Sequence, residues 1–584
     1  MAYDFDVIIV GSGVAGALCA WKLSTLADYR ILILEAGDNG IGEGQRTEFH
    51  HAMDRQGNRG DMFSPYLELP SRSKVPSPEK ATSPKPKNPG DPFEEKYYDY
   101  TAESGDTFRA GYNRLVGGST WAWRGNCPRF LPTDFRMQST FGRGRDWPID
   151  YGDLERYYSE AERELGVSGN HEELDGLFGA YRSKPFPMPG QALTYSDQLI
   201  RKSIHGKKVG DTEIAVTTTP QARNSMPYDG RPACEGHSNC IPLCPIHAKY
   251  DATVHLRRAL QNKNVELRSG CVVTKLVKDS GGRVTKVQYK QWNSPATAEK
   301  TVSAAVIVVA AHAVETPKLL LMSGLANSSD QVGRNLMDHI QWEVTALFPE
   351  PVYPFRGPQS VTAIENFREG AFRSERSGFR MTIGNDGWGR AGSPATIIAE
   401  LLKSDPAKGK KPEYGPALLA AVGEKIPRMI RLSFSTEMLP GASNRVQVST
   451  KLDGALSLPR PLLTFEVDDY SKGGLIAGLD TAKAIFELMG AELEANQRPL
   501  IDASGTLNWN TAAHIMGTCI MGSDPRTSVV DDWGRSHDHE NLFIAGSSVF
   551  ATGATANPTL TLAAIALRTV KAIHRQLRNG GHAS

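Results

Sequence analysis

Short apolar runs alternate with amphipathic stretches at the start of the chain. Residues 6–10 form a continuous run rich in β-branched side chains, which predicts a buried parallel strand. Leu18, Trp21 and Leu23 follow at helical spacing, and residues 30–34 form a second apolar run. The pattern therefore predicts an α/β fold that opens with a strand, a helix and a second strand.

The rest of the chain mixes helical and strand periodicities. Residues 151–165 are amphipathic, with Asp150 at the position of an N-cap, and further helices are predicted at 252–260 and 475–489. Strands are predicted at 265–267, 272–277, 302–309 and 541–545, and the region 345–470 is rich in strand patterns. The later region therefore predicts a sheet covered by the helix at 475–489.

Composition and charge narrow the class of protein. The 584 residues carry a net charge of +1, with 40% hydrophobic and 22% charged residues, which is typical of a globular chain without a nucleic-acid surface. No apolar run approaches the roughly 18–20 residues that span a bilayer. Asp4 and Asp6 stand where a signal peptide would be basic. We therefore expect a protein that is cytosolic, or that is exported in folded form through a partner's signal.

The first strand leads into a glycine-rich turn. Gly11, Gly13 and Gly16 form G-x-G-x-x-G before the predicted helix, and Glu35 ends the second strand. This order predicts a dinucleotide site: the first glycine allows the turn, the second admits the pyrophosphate and the third lets the helix pack. The alternative is a purely structural turn. The motif does not choose between FAD and NAD, although the Glu-Ala-Gly37 ending resembles FAD-binding enzymes.

Two further segments precede the middle of the chain. Residues 76–95 are rich in Pro, Lys and Ser and predict a surface loop, which could cover a site or contact a partner. Gly117, Gly118 and Ser119 follow Val116 in a stretch of small residues that would let the backbone lie against a flat ring or a phosphate. A tight structural turn is the alternative for this stretch.

Three cysteines cluster in the middle of the chain. Cys234, Cys240 and Cys244 precede Pro245 in the pattern C-x5-C-x3-C-P, whose last part matches the end of a bacterial ferredoxin motif. The first spacing is too long for a thioredoxin-type C-x-x-C, and no fourth cysteine adjoins the cluster. An iron–sulfur cluster beside a flavin would pass electrons singly to another protein. The remaining cysteines are expected to be buried thiols: Cys19, Cys127, Cys271 and Cys519.

His514 lies in the densest group of chemical residues outside the cysteines. A strand at 541–545 and the segment 555–561, which leads into a helix, follow it. A lone histidine is more often structural than catalytic. Its position just before a return to elements of the nucleotide domain favours a catalytic role.

Together these motifs resemble the glucose–methanol–choline (GMC) oxidoreductases. The matching segments, in family order, are 11–35, 116–120, 310–324, 332–339, His514 and 541–568. The three-cysteine segment narrows the resemblance to the catalytic subunits of bacterial FAD and iron–sulfur sugar dehydrogenases, which act on glucose, fructose, gluconate or glucosides at C3. One departure is His312, because many family members have glycine at that position.

The resemblance implies the cofactors and the roles of particular residues. FAD would be bound, and Cys234, Cys240 and Cys244 would hold a [3Fe-4S] cluster. His514 would take the proton of the substrate hydroxyl while hydride passes to flavin N5, and Asn557 would hold the substrate oxygen. The further FAD contacts implied, beside the glycines above and Ser119, are Val273, Gly546, Pro558 and Thr559.

The resemblance also implies the domain plan. The fold class is α/β, with a discontinuous Rossmann-type FAD domain and an α+β substrate domain that carries a mainly antiparallel sheet. The FAD domain would comprise 1–135, 225–345 and 505–584, including the iron–sulfur segment 234–245. The substrate domain would comprise 136–224 and 346–504.

The function expected is oxidation of a sugar or glycoside hydroxyl, with electrons leaving through the cluster to a cytochrome c or quinone-linked acceptor. A small subunit would carry the export signal and place the chain in the periplasm or at a membrane; the alternative location is the cytoplasm. Glucoside C3 oxidation is favoured by elimination, because the cysteine segment departs from that of the glucose and fructose enzymes. Gluconate or glucose oxidation, an oxidase with structural or zinc-binding cysteines, and a non-catalytic flavoprotein are the alternatives.

Overall fold

The structure, a computed structural model, covers most of the chain. It describes residues 3–37, 41, 97–236, 240–241, 243–292, 298–385, 398, 401–403, 411–452, 456–494 and 497–579. The loop predicted at 76–95 lies outside the described residues. None of the helices in these ranges is long and apolar enough to cross a membrane.

The described chain contains groups of helices and groups of strands. The α-helices are α1 (Val14–Leu26), α2 (Met137–Phe141), α3 (Tyr151–Leu165), α4 (His171–Leu174), α5 (Tyr195–Ile204), α6 (Thr253–Leu260), α7 (His312–Ser323), α8 (Gly415–Lys425), α9 (Asp469–Met489) and α10 (Thr559–Asn579). The first strands are β1 (Phe5–Val10), β2 (Ile31–Leu34), β3 (Asp99–Tyr100), β4 (Lys208–Val209), β5 (Thr212–Glu213), β6 (Val216–Thr218), β7 (Val265–Arg268), β8 (Cys271–Lys278), β9 (Val284–Gln291) and β10 (Lys300–Val309). The later strands are β11 (Ile340–Leu347), β12 (Thr362–Ile364), β13 (Phe379–Gly384), β14 (Met429–Thr436), β15 (Arg445–Leu452), β16 (Pro459–Thr464), β17 (Glu492–Leu493), β18 (Asn510–Thr511) and β19 (Leu542–Ile544).

The first sheet is the Rossmann-type sheet that the N-terminal pattern predicts. Strands β7, β2, β1 and β10 are neighbours in that order and run parallel, and β19 pairs with β10 from the far end of the chain. Strands β9 and β8 extend it with antiparallel pairing. Residues 7–10 and 304–309 are buried, as expected for strands covered on both faces. The expected fold class is therefore confirmed for this part of the chain.

The second sheet is antiparallel. Its strands follow the order β17, β11, β14, β13, β12 and β6, and β18 pairs with β11. Helix α9 packs closely on it: a Cβ added to Gly478 would lie 2.4 Å from the ring of Phe434. The predicted mainly antiparallel region and its covering helix are thus both confirmed. A small third sheet contains β15, β16 and β3.

Local sequence signals account for several element boundaries. Asp150 caps α3 as predicted, because its Oδ1 accepts a hydrogen bond of 3.0 Å from the amide of Asp153. The helix ends at Leu165, and Gly166 follows it with a φ of +67°, in the left-handed region that favours glycine. Strands of both large sheets come from several separate segments of the chain. The boundaries given above for the FAD domain and the substrate domain stay a prediction.

Candidate active site

A cavity of about 590 Å³ lies between the two large sheets. It begins at the carboxyl ends of β1 and β2, beside Val10 and Leu34, and reaches His514 and the strands of the antiparallel sheet. Ligands of open parallel sheets bind at these carboxyl ends. The cavity also has the size of a typical small-molecule or cofactor site.

The glycines of the N-terminal motif shape one end of the cavity. Gly11 has a φ of +100°, and a Cβ on it would lie 2.4 Å from the carbonyl oxygen of Ala310. A Cβ on Gly16 would lie 2.0 Å from the carbonyl oxygen of Gly11, so both positions require glycine for close packing. At Gly13, by contrast, no atom of the described residues lies within 4 Å of such a Cβ. The open space at the start of α1 fits a ligand phosphate at a helix N-terminus.

Glu35 holds this glycine-rich turn from the side. Its Oε2 accepts hydrogen bonds from the amide and the hydroxyl of Ser12, at 2.8 and 2.7 Å, and its Oε1 accepts one from the amide of Gly37 at 2.7 Å. Burial raises the pKa of Glu35, and these hydrogen bonds oppose the rise. Glu35 also lines the cavity, so it can bind the turn and face a ribose.

The predicted small-residue stretch packs against the same turn. The amide of Gly117, which has a φ of +94°, donates to the Ser12 hydroxyl at 3.1 Å. A Cβ on Gly118 would lie 3.0 Å from the Cα of Gly13, so the two backbone segments touch. Gly118 and Ser119 line the cavity, and the Ser119 hydroxyl accepts a hydrogen bond from the amide of Asn113. The structure thus brings both predicted backbone segments to one place.

The remaining residues expected at the cofactor lie on three different elements. Val273 on β8, and Pro558 and Thr559 at the start of α10, line the cavity. Gly546 directly precedes Ser547, which lines the cavity; it has a φ of +122°, and a Cβ on it would be 3.9 Å from that of Ala15. The N-termini of α1 and α10 therefore both point to this space, which favours a negatively charged group.

His514 and Asn557 meet at the other end of the cavity. The side-chain nitrogen of Asn557 lies 3.1 Å from Nε2 of His514, and both residues line the cavity. Burial, and secondly the proximity of His339, hold the pKa of His514 well below its usual value. His514 is therefore neutral near pH 7 and able to accept a proton.

His339 and Asp338, which carry no predicted role, complete this arrangement. Nδ1 of His339 lies 2.8 Å from Nδ1 of His514. Oδ1 of Asp338 accepts hydrogen bonds of 2.7 Å from the amides of both histidines, and Thr511 donates to its other oxygen. Burial raises the pKa of Asp338 to about 6. The only sequence signal for these residues was their place in the family-like segment 332–339.

A polar face of the antiparallel sheet forms the wall beyond His514. Register places Gln341 opposite Ser435, Arg380 opposite Ser435 and Thr382 opposite Ser433. All five line the cavity. Arg380 donates to Glu365 at 2.7 Å, so its charge is balanced. Sequence reasoning missed this wall, although β11 alternates regularly between buried and partly exposed positions.

A buried charged group adjoins the cavity near α7. Glu315 accepts hydrogen bonds from two tyrosines, Tyr97 at 2.6 Å and Tyr112, and lies 2.8 Å from Arg114. Burial would raise the pKa of Glu315, but the positive charges of Arg114 and Lys318 outweigh it and hold the pKa well below its usual value. This group fixes the cavity wall on which His312 also lies.

The three clustered cysteines lie near one buried arginine, which contacts Cys240. Nη1 of Arg223 donates to Sγ of Cys240 at 3.1 Å, and the amide of Lys249 donates to Sγ of Cys244 at 3.5 Å. Burial opposes the charge of Arg223, yet the nearby Cys240, Cys234 and Cys244 hold its pKa above its ordinary value. Within the described ranges, no group of three or more His, Cys, Asp or Glu side chains is arranged to hold a metal ion.

The other four cysteines are buried, as predicted, and none is in a disulfide. They are Cys19, Cys127, Cys271 and Cys519. Burial raises the pKa of each thiol, which favours the protonated form. Cys271, at the start of β8, also lines the cavity.

Comparisons with known proteins agree with the geometry. The sequence profiles of the GMC oxidoreductase family match residues 212–341 and 440–566, and that of an NAD(P)-binding Rossmann-like domain matches residues 9–55. The chain belongs to the GMC oxidoreductase family. It is an FAD-dependent oxidoreductase that acts on CH–OH groups.

Individual relatives cover almost the whole chain. The large subunit of fructose dehydrogenase from Gluconobacter japonicus is 34% identical over 98% of this chain and 98% of its own length. The gluconate 2-dehydrogenase flavoprotein of Pantoea cypripedii is 25% identical over 80% of each chain. The structure of pyridoxine 4-oxidase from Mesorbium loti shares the fold, with a TM-score of 0.59, 19% identity and coverage of 98% of this chain and 99% of that one.

Proposed function

We propose that this chain is the catalytic subunit of a dehydrogenase that oxidises a hydroxyl group of a sugar or glycoside. The polar wall formed by Gln341, Arg380, Thr382, Ser433 and Ser435 carries the proposal. Gln341 already donates to the carbonyl of Thr511 and Arg380 to Glu365. The amide oxygen of Gln341 and the hydroxyls of the wall keep further hydrogen-bonding capacity, which suits a substrate with many hydroxyls. The fructose and gluconate dehydrogenases among the relatives support the same class of substrate.

His514 would act as the general base. Bound FAD would supply the acceptor for a hydride from the substrate carbon. The O–H bond of the substrate breaks as Nε2 of His514 takes the proton, which leaves an oxygen that can form the carbonyl. The amide of Asn557, 3.1 Å from Nε2, would orient the same oxygen. The neutral state of His514 at rest is the state that this step requires.

Removing the base tests this mechanism. His514→Ala should retain FAD but slow anaerobic flavin reduction by about 100-fold or more, because general-base catalysis contributes about that much. The matched control is His574→Ala, since His574 lies on α10 and bonds to Tyr29 far from the cavity. Stopped-flow absorbance of the bound flavin measures the rate. Unchanged reduction in the His514 variant would contradict the proposed base.

The substrate within this class is tested by flavin bleaching. D-Fructose, D-glucose, gluconate and methyl glucoside are mixed anaerobically with the holoenzyme. Methyl glucoside has a blocked anomeric carbon, so bleaching by it would support the glucoside 3-dehydrogenase that the sequence favoured. Bleaching by one of the free sugars or by gluconate would assign the corresponding dehydrogenase, and no bleaching by any of the four would contradict the sugar proposal.

We propose further that Cys234, Cys240 and Cys244 hold a [3Fe-4S] cluster. The donors around two of the sulfurs suit such a group, because Arg223 donates to Cys240 and the Lys249 amide donates to Cys244, and the charge of Arg223 would balance that of the thiolates. Since the three side chains are not arranged around a metal position in this structure, they would have to close around the cluster on binding it. Nε of Arg223 is also buried without a hydrogen-bond partner among the described residues. The cluster would supply one-electron transfer to an external acceptor, as expected of a dehydrogenase rather than an oxidase.

A partner follows from this proposal. The relative from Gluconobacter japonicus is named a large subunit. We propose that a small subunit carrying an export signal and a cytochrome c, or another acceptor linked to quinone, associate with this chain in the periplasm or at a membrane. Purification of the tagged chain from its own cells tests the association: a small subunit and a haem protein should co-purify with it in fixed ratio, and purification of the chain alone would contradict the proposal.

Metal analysis tests the cluster. The anaerobically purified protein should contain iron and acid-labile sulfide in the ratio of a [3Fe-4S] cluster, and Cys240→Ser should lose both while retaining FAD. Cys127→Ser is the control, because Cys127 is an equally buried thiol outside the cluster. Zinc in place of iron, together with rapid turnover by oxygen, would instead support an oxidase with structural cysteines.

A further inference from the structure

His339 is a buried histidine in the wall of the cavity, in contact with His514. Its exposed fraction is 0%, and its ring meets that of His514 edge-on, with centroids 5.0 Å apart. The contact joins Nδ1 to Nδ1 at 2.8 Å, so a single hydrogen must lie between the two nitrogens. If His514 donates this hydrogen, its own lone pair is on Nε2. If His339 donates it, the lone pair of His514 is on Nδ1.

The contact made by Nε2 of His339 shows which of the two histidines donates. Its Nε2 lies 3.0 Å from the carbonyl oxygen of Gly553, which can only accept a hydrogen bond. Nε2 of His339 therefore carries a hydrogen. Burial lowers the pKa of His339 to about 4, so the ring is neutral near pH 7 and its Nδ1 is a bare acceptor.

The protonation of His339 determines which nitrogen of His514 can accept a proton. Because Nδ1 of His339 accepts, Nδ1 of His514 must donate. A neutral His514 then has its lone pair on Nε2, which faces the cavity. The independent contact agrees: the amide of Asn557 donates toward Nε2 at 3.1 Å.

Hydrogen bonds from the backbone amides of both histidines hold the two rings in these positions. Oδ1 of Asp338 accepts from the amides of both His339 and His514 at 2.7 Å, and Thr511 donates to Oδ2. Ala513, directly before His514, has a φ of +56° in the left-handed region. The chain therefore accepts a strained residue where it places His514 against His339.

We propose that His339 is the positioning residue that fixes His514 in the tautomer with a free Nε2 and stabilises its imidazolium once the substrate proton has arrived. It does so as a neutral acceptor, in the place where a carboxylate orients the histidine of a serine hydrolase. On proton uptake, the O–H bond of the substrate breaks and an Nε2–H bond forms, while the Nδ1–H···Nδ1 hydrogen bond becomes charge-assisted. This inference rests on the proposed role of His514 as base.

A matched pair of variants isolates the acceptor. His339→Asn and His339→Leu have nearly the same size and both lose the contact with the Gly553 carbonyl, but only asparagine can place an oxygen near the position of Nδ1. We expect His339→Leu to slow anaerobic flavin reduction by about 100-fold or more, and His339→Asn to recover at least about tenfold of that loss. The KM should change much less than kcat. Equal rates in the two variants would overturn the proposal.

Two further measurements separate positioning from a merely structural role. In His339→Leu, the solvent deuterium isotope effect on flavin reduction should rise, because removal of the hydroxyl proton becomes slower relative to hydride transfer. In the resting holoenzyme, ¹⁵N-histidine spectra should show His514 protonated at Nδ1 and bare at Nε2, assigned by loss of its signals in His514→Gln. The opposite tautomer would overturn the inference without any need for substrate.

A control variant and a comparison of two variants separate the proposed role of His339 from that of His514 as base. His255→Leu removes another fully buried histidine, which bonds to Tyr250 and lies away from His514, and should leave the reduction rate unchanged. If His514→Ala reduces normally, the proposed base fails. If His514→Ala is inactive but His339→Leu reduces like the wild type, only the role of His339 fails.

Discussion

One histidine in the cavity wall occupies a backbone conformation that usually requires glycine. His312 begins α7 with a φ of +71°, and its ring stacks on Tyr112 with centroids 4.2 Å apart. Its Nδ1 accepts a hydrogen bond from the amide of Val314, so it also caps its own helix. In place of the glycine found in many family members, His312 adds a ring contact with Tyr112 and a cap for α7. Its positive φ is strained, and its imidazole is a buried titratable group.

This residue should make stability depend on pH. Burial lowers the pKa of His312 from 6.5 to about 4, so the unfolded chain binds a proton in this window that the folded chain does not. Stability therefore falls as the pH falls from about 6.5 to about 4, by at most about 3 kcal/mol from this group.

We expect His312→Gly to remove the contribution of this residue to the pH dependence, because glycine has no titrating side chain. Glycine also adopts the positive φ without strain. Urea unfolding at a fixed excess of FAD, at pH 7.5 and pH 4.5, measures the pH dependence. The variant should gain stability relative to the wild type at the lower pH. An identical pH dependence in both proteins would show that His312 is protonated in the folded state.

At the scale of elements, the site depends on how α9 covers the antiparallel sheet. The other face of that sheet carries the polar wall, so the close approach of α9 fixes where the wall lies. Gly478 allows the approach, because a Cβ there would lie 2.4 Å from the ring of Phe434. A helical glycine is normally unfavourable, so its presence here reflects packing rather than helix propensity.

The same substitution in two helices should therefore have opposite effects. We expect Gly478→Ala to lower the free energy of unfolding by about 1–3 kcal/mol through overpacking. Gly423→Ala in α8 should raise it by up to about 1 kcal/mol, because no described atom lies within 4 Å of the added Cβ and alanine is the better helix former. Chemical denaturation measures both, and a destabilising Gly423→Ala would contradict this account.

At the scale of the molecule, buried ion pairs tie distant segments together beneath the cavity. Arg373 binds Asp134 at 2.7 Å and Glu437 at 3.1 Å, and all three side chains are fully buried. Arg368 bonds to Glu365 and reaches the hydroxyl of Thr555, near the end of the chain. Residues from several segments are thereby held around one site.

Breaking this network should be costly. Arg373→Met would leave Glu437 buried without its cation and Asp134 with only Arg368, at 4.0 Å, so we expect the free energy of unfolding to fall by about 3–5 kcal/mol. The control is Arg526→Met, whose ion pair with Asp524 is exposed to solvent and should not measurably affect stability. A small effect at Arg373 would mean that one carboxylate is protonated in the native state.

The sequence by itself determined the elements that form from local patterns. The strand, glycine-rich turn and helix at the start of the chain, the helix α3 with its Asp150 cap and the buried strand β10 were all predicted, because periodicity, capping and turn chemistry act between near neighbours. The family segments also marked His514 and Asn557 as a candidate pair, through resemblance.

Only the tertiary structure decided how the site is assembled. His339 and His514 are 175 positions apart, and Gly553 is 214 positions from His339, so no local pattern could pair them. The polar wall likewise required the register of β11, β13 and β14, because alternation shows that a strand has two faces but not which face meets the cavity. Local physics forms the elements, whereas packing between distant segments selects the atoms that can react together.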